Sequence, residues 1–479
     1  MQANRANEKE LGLRTEKELE ELKAQYRKEL LYSPKNVSET EEGFFEKAKE
    51  FCEGYKAFID SAKTEREAAS FAAARAEEKG FKPYDRNRKL SAGEGVYLLN
   101  RGKAIVLIKK GTLPISEGAN LVIAHTDSPR LDLKQRPLYE EGGMAYFKTH
   151  YYGGIKKYHW TALPLALHGV LFKKNGEKVE ISVGEKEGEP VFCISDLMPH
   201  IAKDQVEKPL ASAITGEGLN IIVGSVPLED GTEVKLALLK LLNEKYGITE
   251  EDFLRAELSA VPAGKSKDVG FDGGMIGAYG HDDRVCAYPS MEALFDSETP
   301  ERTAICIFAD KEEIGSEGVT GLLSAAYTNL FKELCEAEGA AYGEFCENSC
   351  CLSADVGGAF DPCYGEAYDG KNSAYVNKGV VVTKYTGARG KSGSSDASAE
   401  LVAKITSILD SRNVAWQTGE YGKVDQGGAG TVAKVVASWN VDVVDLGVPI
   451  LSMHAPFELA SKGDIYMMYK AAKAFFELR

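Results

Sequence analysis

The chain has 479 residues, of which 43% are hydrophobic, and it carries a formal net charge of −15. This length allows two or three domains with sizeable cores, and the negative charge argues against nucleic acid or an anionic membrane as a partner. The nine cysteines are an odd number and two of them are neighbours, Cys350 and Cys351, so a disulfide framework is not expected.

The first ten residues are charged and lack the apolar core of a signal peptide, and no later stretch is long and apolar enough to cross a bilayer. We therefore expect a cytoplasmic protein without a membrane partner. Residues 15–31 alternate Glu and Lys with Leu at helical spacing, which indicates a solvated helix or an arm that packs on a neighbouring subunit. Two further helices are predicted near residues 44–58 and 64–80.

The domain organisation follows from changes of pattern along the chain. Short β-like runs at 103–108 and 120–124 are followed, between about 131 and 272, by Gly-rich alternating segments with a hairpin signal at Asn175-Gly176. Apolar strands alternating with helical segments resume near Gly273 and continue to the end. The pattern predicts an α/β catalytic domain, with a mixed central sheet flanked by helices, made of residues 1–130 and 273–479. An inserted β-rich domain at 131–272 interrupts it.

Candidate metal ligands stand at the ends of apolar runs. Four runs in the α/β part reach such residues, which are His125, the pair Glu312-Glu313, Asp355 and His454. Ligands bind beyond the carboxyl ends of the strands in an open α/β sheet, so we expect these side chains to converge. Asp282, where the chain re-enters the catalytic domain, is the fifth candidate.

This set of residue types suits hydrolytic metal chemistry. Two imidazoles and three carboxylates can hold a pair of zinc ions if one carboxylate bridges them, and the Asp282-Asp283 pair offers an Asp for that task. Asp127, two residues after His125, can accept the free imidazole N–H. One of Glu312 and Glu313 would bind a metal while the other acts as a general base, and the residues alone leave that division open.

Five segments, in this order along the chain, resemble the signature blocks of the aspartyl aminopeptidase and vacuolar aminopeptidase I family of dizinc metallopeptidases. They are His125-Thr126-Asp127-Ser128-Pro129, Asp282-Asp283, residues 310–315, Ser353-Ala354-Asp355 and Leu451-Ser452-Met453-His454. The resemblance covers nearly the whole chain from about residue 30. It implies a zinc-peptidase fold and an aminopeptidase that acts on peptides with a free N-terminus.

The resemblance also implies a role for each site residue. Two Zn²⁺ per subunit, replaceable by Co²⁺ or Mn²⁺, would share one bridging carboxylate. The implied ligands are His125, Asp282 and Asp355 for one ion and Asp282, Glu313 and His454 for the other. Glu312 would be the general base, and Asp127 would orient the first histidine.

Assembly is a further implication of the family. Its members form a dodecamer built from dimers, in which the inserted domain is a dimerisation lid and the active sites face an internal chamber. The resemblance therefore implies a homo-oligomer. His200, in the segment 197–200, resembles the family's lid histidine, which reaches a neighbouring subunit's active site to help stabilise the oxyanion.

Two segments depart from the family's pattern and bear on specificity. After Asp355 the chain reads Val-Gly-Gly-Ala-Phe-Asp-Pro in place of a histidine-containing segment, and the loop 423–431 replaces an expected Pro-Cys-Gly loop. We expect the backbone of Gly427 and Gly428 in this loop to contact substrate.

A cation would be needed to receive an acidic substrate side chain, and the candidates are Lys378, Lys384 and Arg389. The preferred N-terminal residue stays open between acidic and neutral or hydrophobic side chains.

Two other functions would use the same residues. A metal-dependent amidohydrolase that removes N-acyl groups, or a carboxypeptidase, would rely on the same two-metal chemistry. Blocking the α-amine of the substrate separates a deacylase from an aminopeptidase, because only the aminopeptidase needs the free amine. A metal-stabilised cage without catalysis would bind metal and assemble but release no amino acid.

Overall fold

The computed structural model describes residues 15–86 and 88–478. The chain divides into two compact units after Lys35. The first unit contributes helix α1 (Glu16–Leu30), which begins where the Thr15 hydroxyl accepts the N–H of Glu18 and the Glu18 carboxylate accepts the N–H of Thr15. All of α1 is described and none of its residues is buried, as the alternating charges predict. The first ten residues, which lack a signal-peptide pattern, lie outside the described residues.

The second unit begins with two helices and four strands of the central sheet. They are α2 (Phe44–Ser61), α3 (Glu65–Glu78), β1 (Lys82–Pro83), β2 (Gly95–Asn100), β3 (Ala104–Lys109) and β4 (Ala119–His125). The helices predicted near 44–58 and 64–80 are confirmed. Both strands β3 and β4 are almost wholly buried, which their continuous apolar sequences predict for the middle of a covered sheet.

A six-stranded antiparallel sheet follows, in the order β8-β7-β10-β5-β6-β9. Its elements are β5 (Arg130–Glu141), β6 (Met144–Tyr152), β7 (Leu165–Phe172), β8 (Lys178–Val183), α4 (Lys203–Val206), α5 (Leu210–Ala213), β9 (Ile221–Gly224), α6 (Val234–Tyr246) and β10 (Ala256–Pro262). The predicted hairpin at Asn175-Gly176 is confirmed as β7 and β8. This sheet packs on a hydrophobic core of its own. Its strands run from Arg130 to Pro262, and the domain bounds at 131 and 272 stay a prediction.

The remaining elements alternate between strands and helices. They are β11 (Lys267–Val269), β12 (Met275–Ala278), α7 (His281–Asp296), β13 (Thr303–Ala309), α8 (Ala325–Glu338), α9 (Tyr342–Asn348), β14 (Cys350–Ser353), β15 (Gly357–Gly358), β16 (Val380–Thr383), α10 (Ala399–Ser411), β17 (Trp416–Thr418), α11 (Ala433–Ala437), β18 (Asp442–Gly447), β19 (Pro449–Leu451), β20 (Glu458–Ser461) and α12 (Lys462–Phe476).

The central sheet has nine strands in the order β1-β2-β3-β13-β4-β14-β18-β16-β17. The four strands β13, β4, β14 and β18 are parallel, and antiparallel neighbours flank them on both sides. Helices cover both faces, and alternate residues of β4 serve the two cores. Val122 and Ala124 face α2, α3, α7 and α12, whereas Leu121 and Ile123 face α8, α9 and α11. The predicted mixed sheet flanked by helices is confirmed.

The strand-end argument assumed that the apolar run before His454 belongs to the central sheet, and this assumption is wrong. The run before His454 contains β19, which belongs to a separate five-stranded sheet in the order β11-β12-β20-β19-β15. The central sheet instead takes β18, which begins seven residues before β19 and pairs with β14. Periodicity cannot distinguish the two runs, because both are only a few residues long. Among the described residues, no helix has the length and apolar content that a membrane crossing requires.

Candidate active site

Three of the predicted ligands follow parallel neighbours of the central sheet. His125 ends β4 and is opposite Ala309, the last residue of β13, while Ser353 at the end of β14 is opposite Ile123. Parallel strands that end in register deliver the next residues to one edge. Glu312, Glu313 and Asp355 therefore reach the same edge as His125.

Asp282 stands at the centre of the site. It lies at the start of α7 with non-helical dihedral angles, and its peptide bond to Asp283 is cis. Its Oδ1 is 3.1 Å from Nε2 of His125, and its Oδ2 is 3.2 Å from Nε2 of His454. The two oxygens of one buried carboxylate thus face two different imidazoles.

Two groups of side chains in the described residues can hold a metal ion. In each group the ligand atoms all lie within 4.8 Å of one another, and Asp282 belongs to both. The groups are His125, Asp282 and Asp355, and Asp282, Glu313 and His454. These are the two ligand sets that the family resemblance implies.

The donor atoms fit a divalent cation. Oδ1 of Asp282 and Oε1 of Glu313 are buried and have no hydrogen-bond partner among the described residues, although buried polar atoms are nearly always paired. Two ligands of one tetrahedral zinc are about 3.3 Å apart. The distances of 3.1 and 3.2 Å around Asp282 and of 3.6 Å between His454 Nε2 and Glu313 Oε1 are close to that value.

Backbone carbonyls set the tautomers of both histidines. Nδ1 of His125 donates to the carbonyl of Asp127 at 3.0 Å, and Nδ1 of His454 donates to the carbonyl of Gly154 at 2.7 Å. A carbonyl can only accept, so the proton of a neutral ring lies on Nδ1 and the Nε2 lone pair points at Asp282. This is the state in which imidazole binds metal.

Asp127 has a different principal contact from the one predicted. Its carboxylate lies 3.4 Å from Nδ1 of His125, farther than its own carbonyl. The carboxylate instead accepts the backbone N–H groups of Glu312 at 3.1 Å and Glu313 at 3.2 Å and the Tyr152 hydroxyl at 2.8 Å. Asp127 therefore positions the two glutamates as well as the histidine.

Glu312 and Glu313 lie on a 3-10 turn directly after β13, with Lys311 and Gly315 in the left-handed region on either side. Because of this turn, the two glutamate side chains lie near different histidines. Oε2 of Glu312 is 3.9 Å from Nε2 of His125, and Oε1 of Glu313 is 3.6 Å from Nε2 of His454. Only Glu313 belongs to a candidate metal group among the described residues.

Burial and crowding of carboxylates shift the acid–base properties of the site. Burial raises the pKa of Glu312 to about 7, and burial together with Asp282 raises the pKa of Glu313 well above its usual range. Burial opposes ionisation of Asp282 too, but the two histidines outweigh it and hold its pKa below the usual range. The pKa of His454 rises to about 10 because Asp282 and Glu313 outweigh its burial. A divalent cation would compete with these protons for the same lone pairs.

Glu458 is a site residue that the sequence argument missed. Its buried carboxylate accepts the N–H of Asp282 through Oε2 at 3.1 Å and the N–H of His454 through Oε1 at 2.6 Å. Glu458 therefore ties together the backbones of two candidate ligands. Its only sequence signal is a carboxylate at the start of the short strand β20, four residues after His454.

The predicted substrate glycines lie close to the site. Gly427 and Gly428 line a small cleft together with Arg389, Lys391, Lys423, Glu420 and Tyr421. The Tyr421 hydroxyl donates to the carbonyl of Val356, the residue after Asp355. The cleft is therefore adjacent to one candidate ligand.

The predicted substrate lysines are not among the residues that line this cleft in the described chain. Lys384 pairs with Asp396 at 2.7 Å and is not among the residues that line the cleft in the described chain. Lys378 is half-buried in the turn before β16, where the N–H groups of its neighbours Asn377 and Gly379 donate to Asp464. Of the three candidate cations only Arg389 lines the cleft.

His200 is exposed on the 3-10 turn Pro199–Ile201 of the β-rich region. Within the described part of one chain it makes no hydrogen bond or ion pair. The structure does not bring it to the metal groups of its own subunit.

Comparison with known proteins decides the family. The sequence pattern described as aminopeptidase I zinc metalloprotease (M18) matches residues 58–476. The chain belongs to this M18 family. The expectation from the signature blocks is confirmed, and the protein is an aminopeptidase of a zinc metalloprotease family.

Similar proteins span nearly the same length as this M18 chain. A probable M18 family aminopeptidase 1 from Clostridium acetobutylicum is 48% identical over 433 residues, which is 88% of this chain and 93% of that protein. The crystal structure of an M18 aminopeptidase from Thermotoga maritima superimposes with a TM-score of 0.89 at 43% identity, covering 93% of this chain and 100% of the other. The mApe1 dodecamer of Saccharomyces cerevisiae has a TM-score of 0.71 at 21% identity over 91% of this chain and 97% of its own, and shares the fold.

Proposed function

We propose that this M18 aminopeptidase uses two zinc ions per subunit to hydrolyse the N-terminal peptide bond of peptides. The observation that carries the proposal is Asp282, whose two oxygens face His125 and His454 at 3.1 and 3.2 Å. A carboxylate shared in this way by two ligand groups is a bridge between two metal positions.

Each position has three protein ligands in the proposal. His125 and Asp355 complete the first group, and Glu313 and His454 complete the second. Three protein ligands leave room for water or substrate at each ion, as catalytic zinc requires. Co²⁺ or Mn²⁺ would be accepted by the same nitrogen and oxygen donors.

Glu312 is the general base in this proposal. When bound, the zinc ions supply the Lewis acidity that activates water and polarises the scissile carbonyl. Glu312 accepts the proton of the attacking water and delivers it to the leaving amine. Burial raises the pKa of Glu312 in the metal-free protein to about 7, and a rise in this direction suits a group that takes up and releases a proton. Asp127 holds the Glu312 backbone N–H at 3.1 Å and so positions the base.

The cleft beside Asp355 is the proposed place for the side chain of the substrate's N-terminal residue. Backbone groups of Gly427 and Gly428 line it, which supports the substrate contact expected for this loop. The cleft is lined by Arg389, Lys391 and Lys423 and by one carboxylate, Glu420, and Lys391 is paired with Asp396 at 3.1 Å. Arg389 and Lys423 still outnumber Glu420, which favours an acidic N-terminal residue over a hydrophobic one.

We propose that the subunits assemble through the β-rich region into dimers and a dodecamer. Large apolar side chains between 191 and 226 are 45–76% exposed, and patches of this kind mark subunit interfaces. They are Val191, Leu197, Met198, Ile201, Val206, Leu210 and Val226. His200 lies among them and would act on the active site of a neighbouring subunit. The mApe1 neighbour of known structure is a dodecamer. A cytoplasmic location remains part of the proposal.

One experiment tests the core of the proposal. A panel of dipeptides that differ in the N-terminal residue is incubated with wild type, Glu312→Gln and Glu317→Gln, with and without a chelator. Glu317 is the matched control because it is an exposed glutamate on the same loop. We expect chelation to abolish release of amino acids, zinc to restore it, and Glu312→Gln to bind zinc but lose about 10²- to 10⁴-fold in kcat.

The outcomes against the proposal are specific. Equal rates for Glu312→Gln and Glu317→Gln would remove Glu312 as the base. Cleavage of N-acetylated substrates as fast as free ones would favour a deacylase. A zinc-loaded oligomer that releases no amino acid from any substrate would leave only a metal-stabilised cage.

A further inference from the structure

Three consecutive residues at the exit of β6 contact the candidate metal site from the β-rich region. They are Tyr152, Gly153 and Gly154. We infer that this segment is a positioning element for the second metal group, composed of Asp282, Glu313 and His454. The inference rests on the proposed function, and it assigns to the β-rich region a direct part in building the site of its own subunit.

Tyr152 acts through Asp127. Its hydroxyl donates to Oδ2 of Asp127 at 2.8 Å, and the same oxygen accepts the backbone N–H of Glu313 at 3.2 Å. The other oxygen of Asp127 accepts the N–H of Glu312 at 3.1 Å. Asp127 is fully buried, so water cannot replace a lost donor without rearrangement. The hydroxyl therefore fixes the carboxylate that fixes the glutamate turn.

The ring of Tyr152 is itself held in place. Only 8% of the residue is exposed, and the guanidinium carbon of Arg130 lies 4.3 Å from the ring centroid. Arg130 is in turn held by Glu65 at 2.6 Å and Asp132 at 2.8 Å. A side chain fixed on its face and at its hydroxyl loses little entropy in orienting Asp127.

Gly154 acts on the histidine of the second group. Its carbonyl accepts Nδ1 of His454 at 2.7 Å. His454 is in the left-handed region with φ 64°, and 34% of its side chain is exposed, so packing alone constrains the ring weakly. The hydrogen bond to Gly154 therefore sets the direction of Nε2 toward Asp282.

Gly153 permits close approach to Glu313. It has φ 73°, and a Cβ added there would lie 3.1 Å from Oε2 and 3.3 Å from Cβ of Glu313. Any larger residue would push on the ligand. The segment thus contacts two members of the second group, Glu313 and His454, directly. Its link to His125 of the first group is indirect, through Asp127. Loss of the segment's contacts should weaken the second group more than the first.

The first test removes the Tyr152 hydroxyl without changing the ring. Tyr152→Phe is compared with Tyr151→Phe, the matched control, because Tyr151 is the neighbouring tyrosine, 43% exposed on the opposite side of the strand. Zinc affinity is measured for each full-length protein by competition with a chromophoric chelator. We expect one of the two zinc dissociation constants, that of the second group, to rise about 10- to 100-fold in Tyr152→Phe alone. A fall in kcat of similar size, with KM changed less than about threefold, should accompany it.

The second test leaves every hydroxyl in place. Gly153→Ala is compared with Gly176→Ala, since Gly176 also has positive φ, at 86°, but no atom lies within 4 Å of an added Cβ. Both positions have a positive φ, so alanine strains the backbone at each of them. We expect only Gly153→Ala to lose zinc affinity at the second group, which keeps the inference testable if Tyr152→Phe fails to fold.

The outcomes separate this inference from the proposed function. Two zinc ions in wild type, with Tyr152→Phe and Gly153→Ala indistinguishable from their controls in zinc affinity and kcat, would overturn the positioning role alone. Wild type that binds fewer than two zinc ions would overturn the two-metal proposal. A loss from both variants that is equal for the two ions would contradict the assignment to the second group.

Discussion

Replacing Glu458 by Gln should loosen the metal site without removing any ligand. The carboxylate satisfies two buried N–H groups, those of Asp282 and His454, with one oxygen each. Glutamine has one oxygen and one NH₂ group, so one N–H must lose its acceptor and face a donor. An unsatisfied buried donor costs about 1–3 kcal/mol.

Asp464 offers a matched control for this change. It is fully buried, and its two oxygens accept the N–H groups of Asn377 and Gly379, both at 2.8 Å. Asp464→Asn therefore removes one acceptor in the same way but touches no candidate ligand. We expect both variants to lose about 1–3 kcal/mol of unfolding free energy, and only Glu458→Gln to lose about 10- to 100-fold in zinc affinity.

The measurement requires a pH at which both carboxyls are charged. Burial raises the pKa of Glu458 to about 8 and that of Asp464 to about 7, and the backbone N–H donors oppose both rises. Urea unfolding in the presence of chelator and zinc titration are therefore carried out at pH 9. Equal zinc affinities for Glu458→Gln and Asp464→Asn would refute the argument that Glu458 orients the ligands through their backbones.

Three further predictions concern Glu312, His168 and Ile123. Glu312→Gln should remove the limb of the kcat pH profile that reports ionisation of the base, because the titrating carboxyl is gone. His168 bridges Glu67 and Glu185, and these carboxylates outweigh its burial and raise its pKa to about 9. The two ion pairs of His168 contribute no more than about 3 kcal/mol to the free energy of unfolding. This contribution is complete below about pH 6.5 and is lost as the pH rises through 9. His168→Gln should therefore flatten the stability profile between these values in urea unfolding. Ile123→Ala in β4 should cost about 2–5 kcal/mol of unfolding free energy.

Most of the candidate metal ligands could be placed together from sequence because each follows an apolar run that ends at one edge of the sheet. His125, Glu313 and Asp355 belong to parallel neighbours, and the strand-end rule places them together from local pattern alone. His454 lies beside Asp282 for a different reason. Its strand lies in another sheet, and Glu458 four residues later holds its backbone.

The remaining site residues depend on contacts between distant parts of the chain. Nothing in the pattern around Tyr152 or Gly154 indicates that β6 ends against Asp127 and His454, because these contacts span 25 and 300 positions. The ion-pair partner of a lysine side chain cannot be predicted from sequence either. Lys384 is predicted to bind substrate, but its side chain pairs with Asp396, twelve residues away, at 2.7 Å.

The exit of β6 limits how far the β-rich region can be treated as a module. A truncated protein made by joining 130 directly to 273 would retain all five candidate ligands and the proposed general base. It would lose the carbonyl that orients His454 and the hydroxyl that steadies Asp127. Engineering a smaller enzyme from this scaffold should therefore keep residues 152–154 grafted beside the site, or supply their two hydrogen bonds from a designed loop.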